Sequence, residues 1–264
     1  MDAFPAGLAD EHRPFRLPAA PGREGGVVVL LLHGFTSGPA SVRAWAEGLA
    51  AGGLPVRVPL LPGHGTRWED LAATSAERLR SAVRQELDDL LAEHRQVVVG
   101  GISMGGALAL DAAAHRPVSA VLVVNPALRF GNPAALAAPV LRHVLASVPP
   151  IAGDIADPDA REIAYDRTPV AGVAELGVIQ RAARHGLGRI TAPVTVFRSA
   201  RDAVVPAASH RTLLRGLRRS DTRVVPLPRS RHVATLDHDL PVIVRESLAA
   251  VDAARDARRG GTGV

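Results

Sequence analysis

The apolar run Val97-Val98-Val99 passes through Gly100 into Gly101-Ile102-Ser103-Met104-Gly105-Gly106 and on, without a loop, into an Ala- and Leu-rich helical pattern. A strand that becomes a helix within so few residues must turn sharply. The glycines remove Cβ atoms where the strand and helix of such a turn crowd each other, leaving Ser103 exposed at its tip. The same alternation recurs along the chain. Apolar runs at 27–32, 56–58, 97–100, 120–124, 194–197 and 223–225 read as strands, separated by helical patterns. Continuous apolar runs mark strands buried on both faces, so the expected class is α/β, a mostly parallel central sheet flanked by helices.

Segment 74–94 reads as an amphipathic helix with Leu79, Val83, Leu87, Leu90 and Leu91 on one face and Ser75 as its cap. Further helices are expected at 105–115, at 207–217 after Pro206, and at 241–254. Roughly 70 residues separate the strands ending at Val124 and starting at Val194, where a crossover needs only a dozen or more. Helical signals at 133–147, 157–165 and 173–185 make that stretch an inserted helical cap over the C-terminal edge of the sheet. The expected organisation is a core of residues 1–124 and 190–257, a cap of 125–189, and a Gly-rich flexible tail of 258–264.

At 264 residues the chain is large enough for one sizeable core. No apolar run approaches the 18 or more residues that span a bilayer, so no stable membrane insertion is expected. Met1-Asp2-Ala3-Phe4-Pro5 has no basic patch leading into an apolar stretch, which points to the cytoplasm rather than to secretion. The formal net charge is +5, and every basic residue is Arg; these are dispersed rather than clustered, so a nucleic-acid partner is not expected. The absence of cysteine removes thiolate nucleophiles and thiolate metal sites.

A serine hydroxyl needs a base within hydrogen-bond reach and a third group to hold that base in the right tautomer. On a sheet carrying a serine at such an elbow, the acid and then the histidine follow in the chain. His232 lies in a short loop after the 223–225 strand and is the expected base, whereas His210 falls within a helix and His238 beside the last one. Asp202 stands just past the C-terminal end of the 194–197 strand, the edge where active-site groups gather. Asp221 precedes a strand, at the opposite end of the sheet, and Asp237 suits a helix cap. The backbone N–H groups of Met104 and Phe35 are the expected oxyanion hole, with His33 shaping the loop. One histidine between glycines at Pro62-Gly63-His64-Gly65 reads as a turn, and no metal site is expected.

With these residues in place, the chain resembles the bacterial monoacylglycerol lipases and related carboxylesterases of the α/β-hydrolase superfamily. The resemblance covers 28–250 and rests on His33-Gly34-Phe35-Thr36, Gly63-His64-Gly65-Thr66, the elbow around Ser103, Asn125-Pro126-Ala127-Leu128, Glu162-Ile163-Ala164-Tyr165, Asp202-Ala203-Val204-Val205-Pro206 and His232-Val233-Ala234-Thr235-Leu236-Asp237. It implies an α/β-hydrolase fold with a cap, no cofactor, and hydrolysis of monoacylglycerol to fatty acid and glycerol through a Ser103-His232-Asp202 acyl-enzyme. A carboxylesterase on short to medium chains, or a non-catalytic ligand-binding relative, are the other readings. Haloalkane or epoxide chemistry would need Asp in place of Ser103. The resemblance also implies that Glu162 meets the glycerol head group, with Asn125 and Ile151 as further substrate contacts. Leu136, Val140, Leu141, Val144, Leu145, Ile151, Leu176 and Ile179 are expected to line an acyl tunnel, and the cap to touch lipid surfaces transiently. Two positions depart from the pattern: Ala203 where a polar residue is common, and Arg231 where an aromatic one is.

Overall fold

The structure, a computed structural model, describes residues 12–20 and 26–260. Strand β1 (Phe15–Leu17) is followed by β2 (Val27–Leu32), α1 (Ala40–Ala51), β3 (Val56–Val58), α2 (Trp68–Ala72), α3 (Ala76–Glu93), β4 (Gln96–Ile102), α4 (Met104–Ala113) and β5 (Ala120–Val124). After a 3₁₀ turn at Pro133–Ala137 come α5 (Ala138–Leu141), β6 (Ser147–Val148), β7 (Thr168–Pro169), α6 (Val170–Gly186), β8 (Val194–Ser199), α7 (Ala207–Gly216), β9 (Thr222–Leu227) and α8 (Leu240–Gly260). Seven strands form one sheet in the order β1-β3-β2-β4-β5-β8-β9, all parallel except β1, which runs antiparallel to β3.

The apolar runs supply two cores at once, because successive side chains of a strand point to opposite faces. Val28, Leu30, Leu32, Val97 and Val99 face α3 and α4, while Val27, Val29, Leu31 and Val98 face Trp45 of α1 and Ile243 and Val251 of α8. Helix α3 buries Leu79, Val83, Leu87 and Leu90, and the Ser75 hydroxyl caps it by accepting from Arg78 N–H at 3.2 Å.

The region between β5 and β8 differs from the expectation in three ways. Segment 157–165 is not helical: Asp157 Oδ1 accepts from Asp159 N–H at 3.0 Å, an Asx turn that competes with helix formation. Ala164 instead bridges Ser37 as an isolated antiparallel pair. The second difference is α6, which contains the expected 173–185 helix but packs into the body, with Ile179 and Ala183 fully buried alongside Leu108 and Leu110. The third concerns the expected tunnel lining. Leu136, Val140 and Val144 are 72%, 74% and 83% exposed, and Leu141 and Leu145 are also turned to solvent, because the expected 133–147 helix is broken into a 3₁₀ turn, the single turn of α5 and an irregular stretch, none long enough to bury a face.

Two smaller corrections complete the comparison. Helices α1 and α2 and strands β1, β6 and β7 lie where no such element was expected. Helix α8 continues through Arg258, Arg259 and Gly260, so the expected tail shortens to 261–264, which lies outside the described residues, as does Met1-Asp2-Ala3-Phe4-Pro5.

The Gly63-His64-Gly65-Thr66 turn ties the chain after β5 to the body. Gly63 and Gly65 adopt φ of 75° and 72°, a region that favours glycine. The Tyr165 hydroxyl donates to Gly63 O at 2.8 Å and accepts from Thr66 N–H at 3.2 Å, and its ring stacks on His64 with 6.4 Å between centroids. Burial holds the His64 imidazole down at about 4, against the help of hydrogen bonds to Pro62 and Leu61 carbonyls. A histidine neutral in the folded chain but protonated once unfolded makes the unfolded state bind more protons between pH 6.5 and 4. Stability is therefore whole above pH 6.5 and falls as the pH drops toward 4, by about 3 kcal/mol from this group. Thermal unfolding at pH 7.0 and 5.0 is expected to give a lower midpoint at the acid value, with a smaller difference in His64→Asn.

Candidate active site

Strand β4 ends at Ile102 and α4 begins at Met104, leaving Ser103 as the single hinge residue, with φ 54° and ψ −115°. A side chain at positive φ is strained, and the surroundings enforce it. Ser103 N–H donates to Val124 O on β5 at 3.0 Å, while Ser103 O accepts from Ala107 and Ala127 N–H. A Cβ on Gly105 would fall onto the carbonyl oxygens of Leu32 and His33, so only glycine lets α4 approach β2 this closely.

Ser103 and His232 line one cavity of about 340 Å³ at the C-terminal edge of the sheet. His232 Nδ1 lies 3.1 Å from Asp202 Oδ2; with the carboxylate accepting, Nδ1 carries the proton and Nε2 is free to accept. The Asp202 side chain is wholly buried at the end of β8, and its Oδ1 accepts from Val204 and Val205 N–H at 2.9 and 2.8 Å. Burial alone would raise this carboxyl, but His232 and the two N–H groups outweigh it and hold Asp202 below the usual carboxylate range. Arg198 Nη1 also reaches Asp202 Oδ2, at 3.1 Å, a partner that the sequence did not suggest.

The loop of His232 is held by a run of consecutive backbone bonds to three aspartates. Asp239 Oδ2 accepts from Arg229 and Ser230 N–H, Asp237 Oδ2 from Arg231 N–H, Asp154 Oδ2 from His232 N–H at 3.2 Å, and Asp154 O from Val233 N–H at 3.1 Å. Asp237 also receives Ala156, Asp157 and His238 N–H, so both its oxygens are occupied and neither serves the His232 ring. Asp154 Oδ2 further accepts Ala203 N–H at 2.9 Å, so that one carboxylate grips both the loop of Asp202 and the loop of His232. The two positions that depart from the family pattern meet here: Ala203 through its backbone, and Arg231 through a guanidinium 3.5 Å from Asp154 Oδ1. Sequence reasoning missed Asp154, whose contacts are 49 and 78 residues away. Its one local mark is its place after Gly153, which has φ 75°.

Phe35 lines the cavity, and Met104 is the first residue of α4, where a backbone N–H has no intrahelical acceptor. His33 shapes the loop after β2 that carries Phe35: Nε2 accepts Leu61 N–H at 3.0 Å and Nδ1 faces Gly34 O at 2.9 Å. Burial, then the neighbouring His64, holds this imidazole well below its ordinary value, so it stays neutral. Thr36, at φ 63°, accepts Tyr165 N–H on its carbonyl at 3.0 Å, which fixes the Phe35 loop to the chain after β5.

Of the three expected substrate contacts, Glu162 and Ile151 line the cavity and Asn125 does not. Asn125 is fully buried at φ 43°; its Nδ2 donates to Ser199 Oγ and His232 O, and its Oδ1 accepts Ser199 N–H. It clamps the ends of β5 and β8 to the His232 loop, and all its polar atoms are spent there. Glu162 Oε2 accepts Gly153 N–H at 2.8 Å, and burial raises this carboxyl against the pull of that bond and of His232. It forms no ion pair with Arg161 or Arg167 among the described residues: Arg161 binds backbone carbonyls and Arg167 binds Ser147 Oγ. Of the other residues expected to line a tunnel, Leu176 reaches this cavity.

A family model described as the alpha/beta hydrolase family matches residues 29–252. The chain belongs to this family. Over 227 residues the hydrolase is 36% identical to a protein named thermostable monoacylglycerol lipase from Bacillus sp. (strain H-257), an alignment spanning 85% of this chain and 90% of that one. Among solved structures, one reported under the metagenome-derived lipolytic enzymes LipS and LipT superposes with a TM-score of 0.87 at 31% identity, over 93% of this hydrolase and 99% of that chain. A soluble variant of monoglyceride lipase from Saccharomyces cerevisiae superposes with a TM-score of 0.77 over 96% and 99% of the two chains, at 14% identity, a likeness of fold. No helix among the described residues is long and apolar enough to cross a membrane.

Proposed function

We propose that this α/β hydrolase is a serine esterase that cleaves monoacylglycerols to free fatty acid and glycerol. The observation that carries the chemistry is Ser103, held at positive φ on its elbow and sharing a cavity with a His232 whose Nδ1 is bound to Asp202. In this reading His232 Nε2 takes the Ser103 proton as Oγ attacks the ester carbonyl. The N–H groups of Phe35 and Met104 receive the oxyanion, and the imidazolium returns the proton to the departing glycerol oxygen. Water then attacks the acyl-enzyme by the same route in reverse roles. Of the expected cap 125–189, the part before α6 acts as the lid, since α6 packs into the body, and the cytoplasm is the compartment proposed on the sequence reading alone.

The choice of monoacylglycerol is supported by the named Bacillus relative and by Glu162, a carboxylate in the cavity wall within electrostatic reach of His232. A carboxylate beside a diol accepts two hydrogen bonds. Glu162→Ala is expected to lower kcat/KM on a monoacylglycerol by about one to two orders of magnitude. It should leave a p-nitrophenyl ester of equal chain length nearly unchanged, since that substrate has no glycerol. Equal losses on both would assign Glu162 to the integrity of the loop through Gly153 instead. The exposed Leu136, Val140 and Val144 suit transient contact with a lipid surface that presents such substrates.

Asp154 acts as a positioning residue. Asp154→Ala leaves the buried His232 N–H without its acceptor, at a cost of about 1–3 kcal/mol. The loosened imidazole should lower kcat on p-nitrophenyl butyrate roughly ten- to hundredfold with little change in KM. Asp154→Asn retains an acceptor oxygen and should recover most of the rate; failure of that rescue would count against the positioning role.

A further inference from the structure

A second cavity of about 320 Å³ adjoins the first, and Arg129, Phe130, Gly131, Ala135, Val173 and Gln180 belong to the walls of both. Its own lining adds Leu136, Pro139, Ala174 and Val178, an apolar groove between α5 and α6, together with Arg181 and Arg184. Three guanidinium groups thus border one groove. Arg129 donates through Nε to Thr212 Oγ1 at 2.7 Å, and Arg184 through Nη1 to Leu128 O at 2.6 Å, both neutral acceptors. None of the three has a carboxylate partner among the described residues. Elsewhere Arg57, Arg67, Arg80, Arg84, Arg116 and Arg142 each pair with an acidic side chain, while Arg161, Arg167 and Arg218 bind neutral acceptors; what sets Arg129, Arg181 and Arg184 apart is that they line one groove together. Arg184 lies within electrostatic reach of the other two, and burial first, then Arg129 and Arg181, lowers its pKa. Like charges gathered without a counter-ion beside an apolar trough form a receptor for an anion attached to an alkyl chain.

We propose that this groove binds the free carboxylate of a long-chain fatty acid, head group on Arg181, Arg184 and Arg129, with its tail running past Phe130 and Val173 toward the Ser103 cavity. Such a ligand reaches the walls shared with the Ser103 cavity, so a fatty acid holds back further turnover. The inference deepens the esterase reading, because the ligand is that reaction's product, yet binding is measured without turnover and stands or falls separately.

Calorimetric titration of the intact protein with decanoate and with decanol, at constant salt, tests the site. Decanoate is expected to bind at least about tenfold more tightly than decanol, as a charge-assisted bond to guanidinium requires. In Arg181→Gln/Arg184→Gln that advantage should shrink to about threefold or less. The affinity for decanol should hold, which shows that the groove is intact. Equal affinities for acid and alcohol in the native chain, or an undiminished advantage in the double variant, would overturn the proposal. If the double variant fails to bind decanol, Arg181→Gln alone, on an exposed side chain of α6, makes the same comparison with the same two outcomes.

Discussion

Ser103→Ala is expected to lower kcat on p-nitrophenyl butyrate by about six orders of magnitude, while the chain still folds and binds ester. The size follows from what is lost: His232 and Asp202 have no hydroxyl to activate, and only the oxyanion donors and binding energy remain. Peptide mapping after a fluorophosphonate should find the adduct on Ser103 in the native chain and none in the variant. The backbone adds a second readout. Ser103 sits at φ 54°, where any Cβ costs about 1–3 kcal/mol. Ser103→Gly should therefore be as inactive as the Ala variant but unfold at a higher temperature. An Ala variant with near-native turnover would sink the assignment of the nucleophile.

Asp202→Asn is expected to cost about four orders of magnitude in kcat. The amide nitrogen of Asn donates where the carboxylate accepts, so the tautomer with Nδ1 protonated loses its partner and Nε2 carries the proton instead, facing a serine from which it cannot accept one. Arg198, now beside Oδ2, would also face an amide nitrogen in one of the two Asn orientations. Asp237→Asn is the informative contrast. Its carboxylate receives four backbone N–H groups and no imidazole. Its loss should show first as a lower unfolding temperature, with kcat reduced far less than in Asp202→Asn. The reverse order of effects would make Asp237 the acid that serves His232.

The parts of the molecule legible in the sequence are those whose cause is local. Strands β2, β4, β5 and β8 are continuous apolar runs because both faces of a central parallel strand are buried, and the elbow declares itself because the strand, the glycines and the helix are adjacent. The three residues of β1 carry too short a pattern to separate from a loop. Helix α1 hides for another reason: it is Ala-rich, and Val42, Trp45 and Leu49 are the few large residues that mark its buried face. Segment 157–165 has helical composition, but Asp157 Oδ1 takes the Asp159 N–H in an Asx turn and the Asp157 N–H goes to Asp237, 80 residues away, a partner that no local pattern announces. Asn125 is a substrate contact only by the family resemblance. Only the crossing of β5, β8 and the His232 loop shows that its polar atoms are already committed.

The double grip of Asp154 bears on how a protein like this diversifies. Its carboxylate is carried by the chain between β5 and β8, while the N–H groups of Ala203 and His232 that it receives belong to the loops after β8 and β9. A chimera that grafts a foreign lid between Val124 and Val194 would bring a new binding surface and strip both loops of their shared acceptor. Such a graft would inherit a slack catalytic base whatever the quality of its own pocket, unless the donor segment also places an acidic side chain at the position of Asp154.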